Sequence, residues 1–353
     1  MLAKVLLATL LCACSYDTSF EDCTVRCSAD DECPGDLTCD GTACRVPGAT
    51  AGSCAAIPVV PPSCEALALT CGPNGDEDCC STSEQIPGGS LFRSYDIAAD
   101  GMFASTANPA SVSPFLLDRF EVTVGRFRRF VEAGLGTQQA PPIPGVGARH
   151  LNGVNAQGGW SENWNAMLPS DTSGLVAALK CDPSKQTWTD TPTANEELPI
   201  NCLSWYLAFS FCVWDGGFLP TEAEWNFAAA GGSEQRAFPW SSPAGSTNID
   251  CSYANYEGCG AVPRSVGATS PRGDGRWKQA DLGGNLWEWA LDWYATDYIS
   301  PCDDCANLTP SAYRIVRGGD FVGTASSIRG ARRNNYFPNV GTVIIGARCA
   351  RRR

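Results

Sequence analysis

The sequence predicts a loop-rich α+β domain behind a small disulfide-rich segment. Three observations point there. Gly 36 and Pro 24 stand beside 44% hydrophobic residues and 11 Trp, the composition of a well-buried globule with much of its chain in turns. Sustained helical periodicity is scarce: two clear helix signatures stand out, while alternation suited to strands surrounds residues 115–120. The 20 cysteines crowd the first quarter of the chain and then spread thinly over the rest. A net charge of −13 excludes the basic footprint of a nucleic-acid binder. Arg351, Arg352 and Arg353 read as a solvated basic end.

The chain opens like a targeting segment. Lys4 supplies a positive start, residues 5–11 are apolar but too short to span a bilayer, and Leu11-Cys12-Ala13 precede Cys14. Leu-x-Ala-Cys resembles a bacterial lipoprotein signal, although Cys12 stands where Ser or Ala is usual. On that reading residues 1–13 are removed and Cys14 is acylated, giving an outer-membrane lipoprotein, or else a periplasmic or cell-surface one. Ser15 after the cysteine suits outer-membrane sorting. An ordinary signal peptide cut nearby is the alternative.

With Cys12 and Cys14 set aside, ten cysteines lie between Cys23 and Cys80 and eight between Cys181 and Cys349. Two even groups are what closed disulfide sets require, in an oxidising compartment, with the pairing unreadable. Residues 14–85 are expected to be a stalk and linker held by bridges, since they show no core pattern. Zinc would need His or paired C-x2-C spacings, which this segment lacks. The main domain is expected to run over residues 86–353.

Within it, Thr123 is a plausible N-cap for a helix presenting Phe127, Phe130 and Val131 on one face. Residues 134–195 read as loops and contain His150, the single histidine. Ser204 should cap a helix over 205–214, ended by Gly216-Gly217. Thr221-Glu222-Ala223-Glu224 has the form of a capping box, which is a commoner role for such carboxylates than acid/base work. Residues 237–281 look irregular. Then Gly283-Gly284-Asn285-Leu286-Trp287-Glu288-Trp289, followed by Trp293, is too dense in large rings for a solvated loop. Asn285 and Glu288 need partners there. With Asp281 upstream, a structural hydrogen-bond knot and an oxygen-rich Ca²⁺ or Na⁺ site both fit the spacing.

This stretch, Asp281 to Trp289, resembles the D-M-x-G-N-V-W-E-W segment of the formylglycine-generating enzyme (sulfatase-modifying factor) family. Four further blocks match in the family's order: residues 117–123, 198–205, 218–225, and 316–319 leading to 346–349. The resemblance implies that family's fold, a C-type-lectin-like core with long loops. It also implies two structural cation sites. One carries over to Asp281, Gly284, Leu286 and Glu288, and the other in part to Asn255 and Tyr256, with Ca²⁺ as the expected ion.

The resemblance fails at the chemistry. The family's oxidase holds copper on a Cys-x4-Cys pair after its R-G-G-S turn and converts a substrate cysteine to formylglycine. Soft thiolates suit Cu(I). Here Gly323 and Ile328 occupy those two positions, and Asp320 replaces the Ser. No copper site is expected. One histidine cannot make the His-triad iron site of other relatives. Ser326 and Ser327 have no His in a readable motif. Arg329, Arg332 and Arg333 suit either a carboxylate or sulfate ligand or acidic neighbours. The expected function is therefore a non-catalytic binding or envelope module that takes a peptide, glycan or protein and touches the membrane through its lipid anchor. The alternative is a formylglycine-generating oxidase, or another oxygen-dependent oxidoreductase, working with different ligands.

Overall fold

The computed structural model describes residues 60–352 except 66 and 83, together with the backbone of two short paired strands, β1 (Thr38–Cys39) and β2 (Cys44–Arg45). Cys14 and the side chains of the cysteines from Cys23 to Cys54 lie outside the described residues. In order there follow β3 (Gly89–Phe92), β4 (Pro109–Val112), β5 (Leu116–Leu117), α1 (Val124–Glu132), β6 (Arg149–Leu151), β7 (Val154–Gln157), α2 (Thr172–Ala178), α3 (Trp205–Trp214), α4 (Glu222–Ala229), β8 (Trp287–Trp293), β9 (Arg314–Arg317), β10 (Arg333–Tyr336), β11 (Ile345–Gly346) and β12 (Ala350–Arg351). Short helices and several small sheets joined by long loops make an α+β fold.

The tryptophan-rich stretch becomes β8, and every one of its residues is buried. It lies inside the sheet β10-β9-β8-β11, antiparallel to β9 and parallel to β11. The strand is covered on both faces, so its two carboxylates, Glu288 and Asp292, are buried along with its rings. Trp287, Trp289 and Leu291 join the larger core with α1 and α3, while Trp225 of α4 and Leu282 belong to a second core cluster. Three of the buried indoles tie this core together through backbone or carboxylate acceptors, whereas the buried Trp188 Nε1 has none. Trp289 Nε1 donates to Leu203 O at 3.0 Å, Trp205 Nε1 to Ala290 O at 2.9 Å, and Trp287 Nε1 to Asp320 Oδ2 at 2.7 Å.

The three expected helix starts are present. Thr123, Ser204 and Thr221 each accept from a backbone N–H of the first turn, and Glu224 completes the capping box by accepting from Thr221 N at 2.7 Å. Glu224 also pairs with Arg149 at 2.6 Å, so its carboxylate is fully engaged in structure. Residues 134–195, read as loops, contain the β6–β7 hairpin and α2. These elements are only a few residues long, too short for periodicity to register. Asp171 caps α2 by accepting from Gly174 N at 2.8 Å.

Ser63, Cys71 and Cys79, in the segment assigned from sequence to the stalk, pack onto the domain. Ser63 is buried, donates its N–H to Asp215 Oδ1 at 3.0 Å, and accepts from Arg126 Nε at 3.0 Å. Arg126 bridges Asp118 and Asp215, and Arg351 binds the same two carboxylates. Cys71 and Cys79 form a small core with Phe120, Val266 and Ala280. All the described cysteines are paired: Cys64–Cys80, Cys71–Cys79, Cys181–Cys202, Cys212–Cys349, Cys251–Cys259 and Cys302–Cys305. Bridges of this kind persist in oxidising compartments. No helix among the described residues is long and apolar enough to cross a membrane.

Candidate functional site

The turn before β8 is where the expected site residues meet. Asp281 and Asn285 adopt left-handed backbone at φ 59° and 61°, and Gly284 at φ 92°. A Cβ on Gly284 would collide with the Asn255 carbonyl, so glycine is what lets the turn approach that segment. Asn285 N donates to Asn255 O at 2.8 Å, and Gly284 N to Gly318 O at 2.8 Å. The turn is thereby tied to both the 255 loop and the Gly318-Gly319 corner.

Its polar groups divide into two sets. Glu288 belongs to Arg348, which reaches its carboxylate at 2.8, 3.0 and 3.1 Å, while Trp225 Nε1 donates to Glu288 Oε2 at 2.7 Å. The second set centres on Asn285. Its side chain donates to Glu121 Oε2 at 2.6 Å and accepts from Asn255 Nδ2 at 3.1 Å and Arg264 N at 3.0 Å. Leu286 N donates to Glu121 Oε1 at 3.1 Å. Asp281 Oδ2 accepts from Gly267 N at 2.6 Å. Burial first, then Asp281 and Glu288 nearby, push the Glu121 pKa well up. Burial, with Asp274 and Glu288 adding to it, pushes Asp281 up to about 6.

A cation would relieve this clustering of negative charge. Among the described residues no three His, Cys, Asp or Glu side chains converge to hold a metal by themselves, so carbonyl or amide oxygens would have to contribute. Asn255 offers one: its Oδ1 is buried and has no hydrogen-bond partner. Such an oxygen suits a hard cation. The Tyr256 carbonyl accepts from Cys259 N at 2.9 Å. Glu288, fully held by Arg348 and Trp225, is the poorest fit of the expected ligands. Glu121 and Arg348 carried no assigned role in the sequence, though both fall in the matched blocks. Their part depends on contacts more than 50 residues away along the chain.

The Gly318-Gly319 corner has no thiol. Ile328 is buried with Phe238, Trp240, Ala237 and Ala254, and Gly323 N closes a turn onto Asp320 O at 3.0 Å. With every described cysteine in a disulfide, the residues here do not fit copper. Asp320 Oδ1 accepts from Val322 N at 2.8 Å and Oδ2 from Trp287 Nε1. Burial raises the Asp320 pKa. Of the three arginines after this corner, Arg329 and Arg333 are taken by acids, whereas Arg332 forms no ion pair among the described residues. Arg329 pairs with Asp96 at 2.6 Å and Asp100 at 2.5 Å, and Arg333 binds Glu222 at 2.9 Å together with Arg317 at 2.8 Å.

The fold and the ordered blocks define a sulfatase-modifying-factor domain. The chain belongs to that family, since the Sulfatase-modifying factor enzyme 1-like domain (FGE-sulfatase) matches residues 75–353. The chain is 28% identical over 301 residues to a formylglycine-generating enzyme of Thermomonospora curvata, covering 75% of this chain and 91% of that one. It is 26% identical over 293 residues to a Bos taurus protein described as inactive C-alpha-formylglycine-generating enzyme 2, covering 75% and 86%. Similar identity to both leaves the site residues to decide catalysis. Among solved structures, PvdO from Pseudomonas aeruginosa shares the fold with a TM-score of 0.52 and 20% identity, covering 76% of this chain and 93% of that one.

Proposed function

We propose that this domain is a non-catalytic binding module, exported and held at the cell envelope by a lipid on Cys14. One observation carries the loss of catalysis: Gly323 and Ile328 stand at the family's copper-thiolate positions, while the described cysteines are consumed in disulfides. The Leu11-Cys12-Ala13-Cys14 pattern and the abundance of disulfides support export and anchoring. The partner is a peptide, glycan or protein held on the face that bears the exposed Val322, next to the buried Asp320. A hard cation such as Ca²⁺, seated by Asn255 and the carboxylates near it, would brace the loops without taking part in chemistry. The test is an oxidase assay with Cu(I) and a peptide containing Cys-x-Pro-x-Arg, in which this protein forms no formylglycine. Formation of formylglycine would favour the alternative, an oxidase with substitute ligands.

A further inference from the structure

The disulfide Cys302–Cys305 stands apart from the other described bridges. Its sequence separation is 3, against 8, 8, 16, 21 and 137 for the rest, so it restrains the unfolded chain least. Its loop is held to β4 and the residue after it independently of the S–S bond. Ser111 N donates to Cys302 O at 2.9 Å, and Asp304 N to Ser111 O at 3.0 Å. Ser111 Oγ donates to Asp303 at 2.6 Å, and Ser113 binds the Asp304 carboxylate through N at 2.6 Å and Oγ at 2.5 Å. Two thiols in this loop would stay side by side after reduction.

A guanidinium touches one of the two sulfurs. Arg93, 3% exposed, places Nη1 3.4 Å from Cys305 Sγ while stacking over Tyr298 at 4.4 Å and donating Nη2 to Ile299 O at 2.8 Å. No carboxylate among the described residues forms an ion pair with it, and its buried Nε has no acceptor. Burial lowers its pKa, against the opposing pull of Tyr298, Glu222 and Asp292, none of which forms an ion pair with it. A thiolate on Cys305 would supply a counter-charge in contact.

We propose that Cys302–Cys305 is a thiol–disulfide exchange centre, in which Cys302 is the sulfur attacked and Cys305 leaves as a thiolate held by Arg93. The reductant is a thiol or dithiol, free or on a partner protein. Its thiolate attacks Cys302 Sγ, the S–S bond breaks, and the bonding pair passes to Cys305 Sγ. A second thiolate then attacks the reductant's sulfur in the mixed disulfide and releases Cys302. The reductant loses two electrons and becomes a disulfide, while this chain gains them as two thiols. Stabilising the reduced form makes the disulfide more oxidising, and a lower leaving-group pKa speeds the first step. Access favours the same polarity. Cys302 is 7% exposed against 2% for Cys305.

The test equilibrates the oxidised full-length protein with graded glutathione/glutathione disulfide buffers. Acid quenching, alkylation and peptide mass mapping then give the reduced fraction at each bridge. The expected result is that Cys302–Cys305 opens at a ratio about tenfold more oxidising than any other described bridge, with native near-UV dichroism retained. Arg93→Met should move its midpoint about fivefold toward more reducing buffer, and Arg93→Lys should recover part of the shift. Opening only together with the other bridges as the fold is lost would overturn the proposal, as would an unmoved midpoint in a folded Arg93→Met. If that variant does not fold, the ordering of bridges in the unaltered protein decides.

Discussion

Arg348 clamps the carboxylate of Glu288 through three contacts of 2.8 to 3.1 Å in the fully buried centre of the domain. The same guanidinium donates to the carbonyls of Asp118 at 3.0 Å and Ala280 at 2.7 Å, so it joins β8 to two separate loops. Glu288 therefore serves first as the counter-ion of a structural arginine.

Removing the arginine alone should be severe. Arg348→Met leaves a buried carboxylate without its cation and is expected to cost about 3–5 kcal/mol in urea unfolding. Adding Glu288→Gln to the same chain should recover part of that loss, because no uncompensated charge remains. A cost below about 1 kcal/mol for the single variant would remove Arg348 from the centre of the account.

Much of this architecture was legible in the sequence, and the boundary of legibility has a physical cause. Thr123, Ser204 and the Thr221/Glu224 box are local signals, each made within one helical turn, and the structure has all three. The burial of Trp287, Trp289 and Trp293 followed from ring density alone. Contacts made across the fold were not legible. Glu222, read as a residue favouring a helix start, is gripped by Arg317 and Arg333, which arrive from two other strands. Ser63 lies in a segment without periodicity, yet it is buried against Arg126 and Asp215. Disulfide pairing was unreadable for the same reason, whereas the evenness of the cysteine group from Cys181 to Cys349 was readable and is matched by four closed bridges.

Asp292 gives a pH dependence with a definite sign. It accepts from Glu222 N at 2.8 Å and Asn307 N at 2.7 Å, and burial, with Glu222 nearby, raises its pKa from 3.8 to about 7. The folded state thus holds a proton that the unfolded state releases near pH 4. The stability this group contributes is fully present below that value and is lost as pH rises through about 7. Asp292→Asn has no such titration. The stability of the native protein relative to the variant should fall between pH 4 and pH 7 by as much as about 4 kcal/mol, read from denaturant melts at each pH. A constant difference across that range would show that Asp292 is ionised throughout.

The unpaired Asn255 Oδ1 makes the cation reading testable by itself. Excess Ca²⁺ should raise Tm over that in EDTA, by an amount equivalent to about 2.7 kcal/mol when the ion is a hundredfold above its Kd. Asn255→Ala should abolish the difference between the two conditions, whatever its effect on Tm in EDTA. Identical melting curves in EDTA and Ca²⁺, with no calcium found in the protein by elemental analysis, would mean that the carboxylates near Asn285 are satisfied by hydrogen bonds and protons.

We propose that this fold has kept the family's frame without its oxidase chemistry, Gly323 and Ile328 standing in place of the thiols. The most direct measurement loads the purified chain with Cu(I) and incubates it in air with a peptide containing Cys-x-Pro-x-Arg. Mass spectrometry then follows conversion of the cysteine to formylglycine beside an active two-cysteine enzyme. The account predicts an unchanged peptide with this protein and full conversion by the control. Turnover above the copper-only background would contradict it and show that other ligands have taken over from the missing thiols.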